Sequence, residues 1–113
     1  MLRMTLRSVV VKTLLAFSIL SLPFSARAAN DASSVFKSKC SLCHGADGRG
    51  ATPVGKQMNA TDLRSAAVQK ESDKQLAEYV ANGKGKKMPP FKNSLKEEQI
   101  EQLIAYIREL GKK

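Results

Sequence analysis

The sequence predicts a small all-α domain, and three features of the chain carry that prediction. The last stretch places Ile100, Leu103, Ile104, Ile107 and Leu110 at i, i+3, i+4, i+7 and i+10, one apolar stripe of helical period. Two segments, Ser72-Asp73-Lys74-Gln75 and Ser94-Leu95-Lys96-Glu97, have the form of a capping box. Between the helical segments lie runs rich in glycine and proline, and no stretch shows a convincing strand pattern. At 113 residues the chain has room for one domain.

Taken in order, the chain opens with an export signal. Arg3, Arg7 and Lys12 form a positive head, Thr13 to Phe24 an apolar run, and Ala26-Arg27-Ala28 offers small residues at the cleavage positions. The apolar run is too short for a spanning helix, which needs roughly twenty residues. The expected division is therefore a cleavable signal over 1–28 and a domain over 29–113. Asn30 to Ser34 are helix-start residues, and Val35 to Cys40 reads as a short helix. Gly45 to Gly50 is a loop, without the Gly-Lys-Ser/Thr ending of a nucleotide cradle. Residues 51–58 continue as irregular chain around Pro53, and Asp62 is the expected cap of a short helix ending at Val68. The helix after Ser72 carries Leu76, Tyr79 and Val80 on one face and stops at Asn82-Gly83. A basic loop follows, stiffened after Met88 by Pro89 and Pro90, and the final helix runs from about Leu95 to Leu110.

Both cysteines and the one histidine of the chain fall within Cys40-Ser41-Leu42-Cys43-His44. The spacing C-x-x-C-H reads as covalent haem attachment, with two thioethers to the ring and the histidine as axial iron ligand. A thioredoxin-like disulfide calls for a βαβ setting, which is missing, and a structural zinc site calls for a fourth ligand. A domain of this size also gains from a large apolar group to complete its core.

The sixth position on the iron needs a second donor. With Met1 and Met4 removed, Met58 and Met88 remain. Met88 stands 44 residues after His44 with a helix between to carry the chain around, and the paired prolines hold it rigid. Met88 is the expected ligand and Met58 a packing residue. A thioether favours ferrous iron, and filling both axial positions leaves no open site for catalysis, so the expectation is not an enzyme.

Without the signal, fifteen basic residues face ten acidic ones, a net charge of +5. That suits docking on acidic protein surfaces. Nucleic acid is a poor alternative, because the lysines lack interleaved aromatics.

With C-x-x-C-H near the start and Met-Pro-Pro ahead of a terminal helix, residues 31–112 resemble the class I cytochromes c, closest to the small bacterial single-haem c551 and c6 kinds. The resemblance implies three to five helices around one covalently bound haem c, with the first and last helices crossing at Phe36 and Tyr106. It implies thioethers at Cys40 and Cys43 and iron ligation by His44 and Met88. It also implies that the carbonyl of Pro53 accepts the histidine ring N–H. No tryptophan is present to bond a haem propionate, as several members have. The function implied is a soluble, exported one-electron carrier of the periplasm. It is expected to be monomeric, to lack a membrane segment once processed, and to cycle Fe(III)/Fe(II) between redox proteins. Lys37, Lys39, Lys84, Lys86, Lys87 and Lys92 are expected around the haem edge.

Overall fold

The stripe over Ile100–Leu110 needs a partner face, and the fold is arranged around it. A computed structural model describes residues 25–113 in six helices: α1 Ser25–Lys39, α2 Ser41–His44, α3 Pro53–Met58, α4 Ala66–Gln69, α5 Asp73–Asn82 and α6 Glu97–Leu110. Two of the six, α2 and α4, are single turns, which is why the count exceeds the expected three to five. The described residues contain no strand, only an isolated bridge between Lys84 and Met88. The expected signal head and apolar run lie outside the described residues.

All five stripe residues of α6 are buried, and α6 packs against both α1 and α5. Phe36 from α1 and Leu103 from α6 are the two large side chains most completely enclosed, each 1% exposed. Phe36 and Tyr106 stack where α1 meets α6, with ring centroids 5.2 Å apart and planes tilted by 51°. Leu76 and Val80 bring α5 onto the same core. Among the described residues, no polar or charged one is buried within it.

Helix ends follow local chemistry, with corrections to the expected caps. Ser72 accepts from Gln75 N–H at 3.1 Å, so α5 starts as expected. The cap of α6 is displaced by two residues from Ser94. Its N-cap is Lys96, whose N–H donates to Gln99 Oε1 at 2.9 Å. Lysine has no acceptor of its own, so the box is closed from one side only. Asp62 does not cap α4. It accepts from Arg64 N–H in a local turn, and Ser65 caps the helix by accepting from Val68 N–H. Residues 53–58, expected as irregular chain, form α3. Thr52 is its N-cap and Pro53 its first residue, where proline's fixed φ and missing N–H cost nothing.

Arg108 fastens α6 to the α4–α5 junction. Its guanidinium donates to the carbonyls of Gln69 and Glu71 and to Asp73 Oδ1.

Candidate haem-binding site

α1 ends at Lys39 and α2 begins at Ser41, so Cys40 sits at the corner and Cys43-His44 one turn further on. Thr52 holds this turn in place. Its hydroxyl donates to the carbonyl of Leu42 at 2.7 Å and accepts from Gly55 N–H at 2.8 Å. Gly55 packs so closely that a Cβ there would lie 2.1 Å from the carbonyl oxygen of Cys43. Only glycine allows α3 this approach to the backbone of α2.

His44 Nδ1 lies 2.9 Å from the carbonyl oxygen of Thr61. A carbonyl only accepts, so the bond places the ring proton on Nδ1 and leaves the lone pair of Nε2 free for a metal. Pro53 does not supply this carbonyl. As the first residue of α3 it is exposed, and its carbonyl is committed to the direction of the helix axis.

Cys40, Cys43, His44 and Met88 all line one cavity of about 660 Å³, together with Leu42, Met58, Ala60, Pro89 and Phe91. A smaller cavity of about 160 Å³ shares Cys40, His44, Thr61 and Met88 and is walled by Phe36, Leu63, Val68, Leu76, Val80, Leu103 and Ile107. A slot with apolar walls, two thiols, an imidazole nitrogen and a thioether fits a covalently attached haem in its donor set. Met58 also lines the larger cavity, so both candidate methionines reach it. Both cysteines are free thiols. Burial pushes the Cys40 thiol up to about 11, with the Lys39 charge pulling it down and Cys43 adding to the rise. Conversion to a thioether removes the proton, and with it the cost of burying a charge.

Four of the six expected lysines, Lys39, Lys84, Lys86 and Lys87, line this cavity. Lys92 does not. It lines a separate groove between α5 and α6, beside Asp73, Glu78, Glu97 and Glu101. Lys37 is exposed on α1. Lys84 Nζ sits 4.3 Å above the ring of Tyr79.

A family model described as cytochrome C oxidase, cbb3-type, subunit III matches residues 27–107. Cytochrome c6 of Gloeothece citriformis (strain PCC 7424) is 34% identical over 100 residues, spanning 88% of this chain and 86% of that protein. Cytochrome c6 of Nostoc sp. (strain PCC 7120 / SAG 25.82 / UTEX 2576) is 35% identical over 99 residues, spanning 88% and 83%. This chain belongs to the small class I c-type cytochromes, of the c6-like kind. Among solved structures, the KustC0563 c-type cytochrome superposes with a TM-score of 0.66 at 31% identity, covering 71% of this chain and 96% of its own. Membership brings haem c as the cofactor, held through the C-x-x-C-H cysteines, and electron carriage as the general role.

Three residues that hold the site escaped sequence reasoning. Thr52 had a legible signal, because Thr-Pro is a helix start of cap followed by first residue. Gly55 and Thr61 act through the absence of a side chain and through a main-chain oxygen, and neither leaves a mark in a single sequence.

Proposed function

We propose that this cytochrome is a soluble, exported one-electron carrier whose haem iron is held between His44 and Met88. The observation that carries this is the meeting of both residues, with Cys40 and Cys43, on one apolar-walled cavity. Bound there, the haem supplies an Fe(III)/Fe(II) couple. His44 offers Nε2, with the Thr61 carbonyl holding the ring and strengthening it as a donor. Met88 offers a soft, neutral sulfur that favours the ferrous state and raises the potential. With both donors retained in each state, the protein has little to rearrange on electron transfer and no open coordination position for catalysis. The apolar walls keep water from the ring.

Export through residues 1–28 delivers the domain to the periplasm, and among the described residues no helix is long and apolar enough to cross a membrane. Acidic redox proteins meet the exposed lysines that line the cavity, and the carrier acts as a monomer. A second reading, a fixed subunit of a larger oxidase, is favoured by the name of the matching family model alone.

Spectroscopy of Met88→Ala tests the ligand assignment. The far-red Met–iron charge-transfer band should vanish and the ferric protein should take up cyanide or imidazole readily. Survival of the band would refute it.

A further inference from the structure

We propose that Gly83 is a positioning residue for the axial thioether. Its missing side chain lets the Met88–Pro90 main chain lie against the end of α5, which seats Met88 in the cavity. The inference rests on the reading of Met88 as iron ligand.

α5 ends at Asn82, and its last carbonyls have no partner within the helix. Two of them are used to anchor the incoming loop: Val80 accepts from Phe91 N–H at 3.0 Å and Ala81 from Lys92 N–H at 3.1 Å. On the other side of Pro89-Pro90, Lys84 and Met88 exchange main-chain bonds of 3.2 and 3.4 Å. The prolines themselves donate nothing, so these four bonds fix Met88.

Gly83 sits where these bonds converge. Its φ of 80° and ψ of 171° lie in a region that is essentially glycine-only. A Cβ there would stand 2.6 Å from the carbonyl oxygen of Met88, 3.1 Å from Pro90 N and 3.2 Å from the carbonyl carbon of Pro89. All three are main-chain atoms and cannot rotate aside. The end of α5 is tied into the core by Leu76 and Val80, which are buried, whereas Met88 is only half-buried and Pro89 and Pro90 are exposed. A methyl group at 83 therefore moves the Met88 segment, and the sulfur with it. Gly85 is the internal contrast: its φ is also positive, at 63°, but a Cβ there would meet nothing within 4 Å.

The test uses the holoprotein in three readouts: the far-red Met–iron band, the reduction potential, and imidazole binding to the ferric form. Gly83→Ala should lose or weaken the band, lower the potential and bind imidazole at least about tenfold more tightly, while keeping its covalent haem and helical circular dichroism. Gly85→Ala should match the wild type in all three readouts, its left-handed φ costing stability alone. Lys84→Pro, which removes the N–H bonded to the Met88 carbonyl and causes no clash at Gly83 because its ψ of 171° is already extended, should tighten imidazole roughly fivefold. It decides the matter if Gly83→Ala yields no holoprotein, and a wild-type imidazole affinity then overturns the proposal. Wild-type behaviour of Gly83→Ala overturns it directly, and so does equal damage from Gly83→Ala and Gly85→Ala, because φ alone would then explain both. A wild-type protein without the band, indifferent to Met88→Ala, would instead defeat the ligand assignment beneath it.

Discussion

The ring nitrogen Nδ1 of His44 lies 2.9 Å from the main-chain oxygen of Thr61, seventeen residues further along the chain. This one bond settles the tautomer, aims Nε2 away from the carbonyl, and ties the haem-attachment turn to the loop between α3 and α4. The family resemblance pointed to Pro53 for this role, but a residue opening a helix has its carbonyl engaged along the axis.

Pro53→Ala keeps a main-chain carbonyl at residue 53 and removes only the ring that fixes φ at the start of α3. The exchange should leave the reduction potential and the ferric spectrum of the holoprotein at wild-type values, with a stability change within about 1 kcal/mol. A potential shifted well beyond measurement error would show that the Pro53 ring, through the start of α3, shapes the haem site.

The contact of α1 with α6 rests on enclosed apolar surface. Phe36→Ala should cost about 3–5 kcal/mol in urea unfolding of the holoprotein followed by circular dichroism. Lys37→Ala, on the exposed face of the same helix, should change stability by less than about 0.5 kcal/mol.

Arg108 gives a polar counterpart. Its side chain is 25% exposed and bonds two main-chain carbonyls, whereas its ionic partner Asp73 is 78% exposed. Arg108→Ala should cost about 1–3 kcal/mol, because the Gln69 and Glu71 carbonyls lose their donor. Asp73→Ala should cost no more than about 1 kcal/mol, since the surface ion pair is screened by water. Equal losses from the two variants would show that the ion pair, not the carbonyl contacts, carries the attachment.

Lys39, Lys84, Lys86 and Lys87 line the cavity and are exposed to solvent. Oxidation of the reduced protein by an anionic iron complex should slow as salt rises through about 0.1 M, where the screening length is roughly 10 Å. A cationic cobalt complex should show the opposite trend, and reversing the charge at Lys86 and Lys87 should exchange the two responses. Rates flat in ionic strength for both reagents would remove electrostatic steering from the account.

Much of this architecture is legible in the sequence because it is periodic or compositional. The stripe from Ile100 to Leu110 announces its buried face, Ser72 announces the start of α5, and Phe36 and Tyr106 meet as the family pattern implies. The attachment pentapeptide is equally plain. What stays hidden is main-chain chemistry and close approach. Thr61 contributes an oxygen that every residue has, and Gly55 and Gly83 contribute a missing Cβ whose use depends on what lies opposite. The start of α6 lies two residues beyond the place its sequence suggests, because Ser94 looks like a cap. Its hydroxyl instead bonds the carbonyl of Phe91, as Ser94 N–H also does, closing a turn before the helix.

A redox titration of the purified holoprotein, followed by its absorption spectrum, tests the central claim most directly. The account predicts one covalently bound haem that titrates as a single one-electron couple, low-spin in both states, with the far-red Met–iron band present when ferric. A high-spin or mixed-spin ferric spectrum that readily binds cyanide and carbon monoxide would contradict it and point to an open iron site.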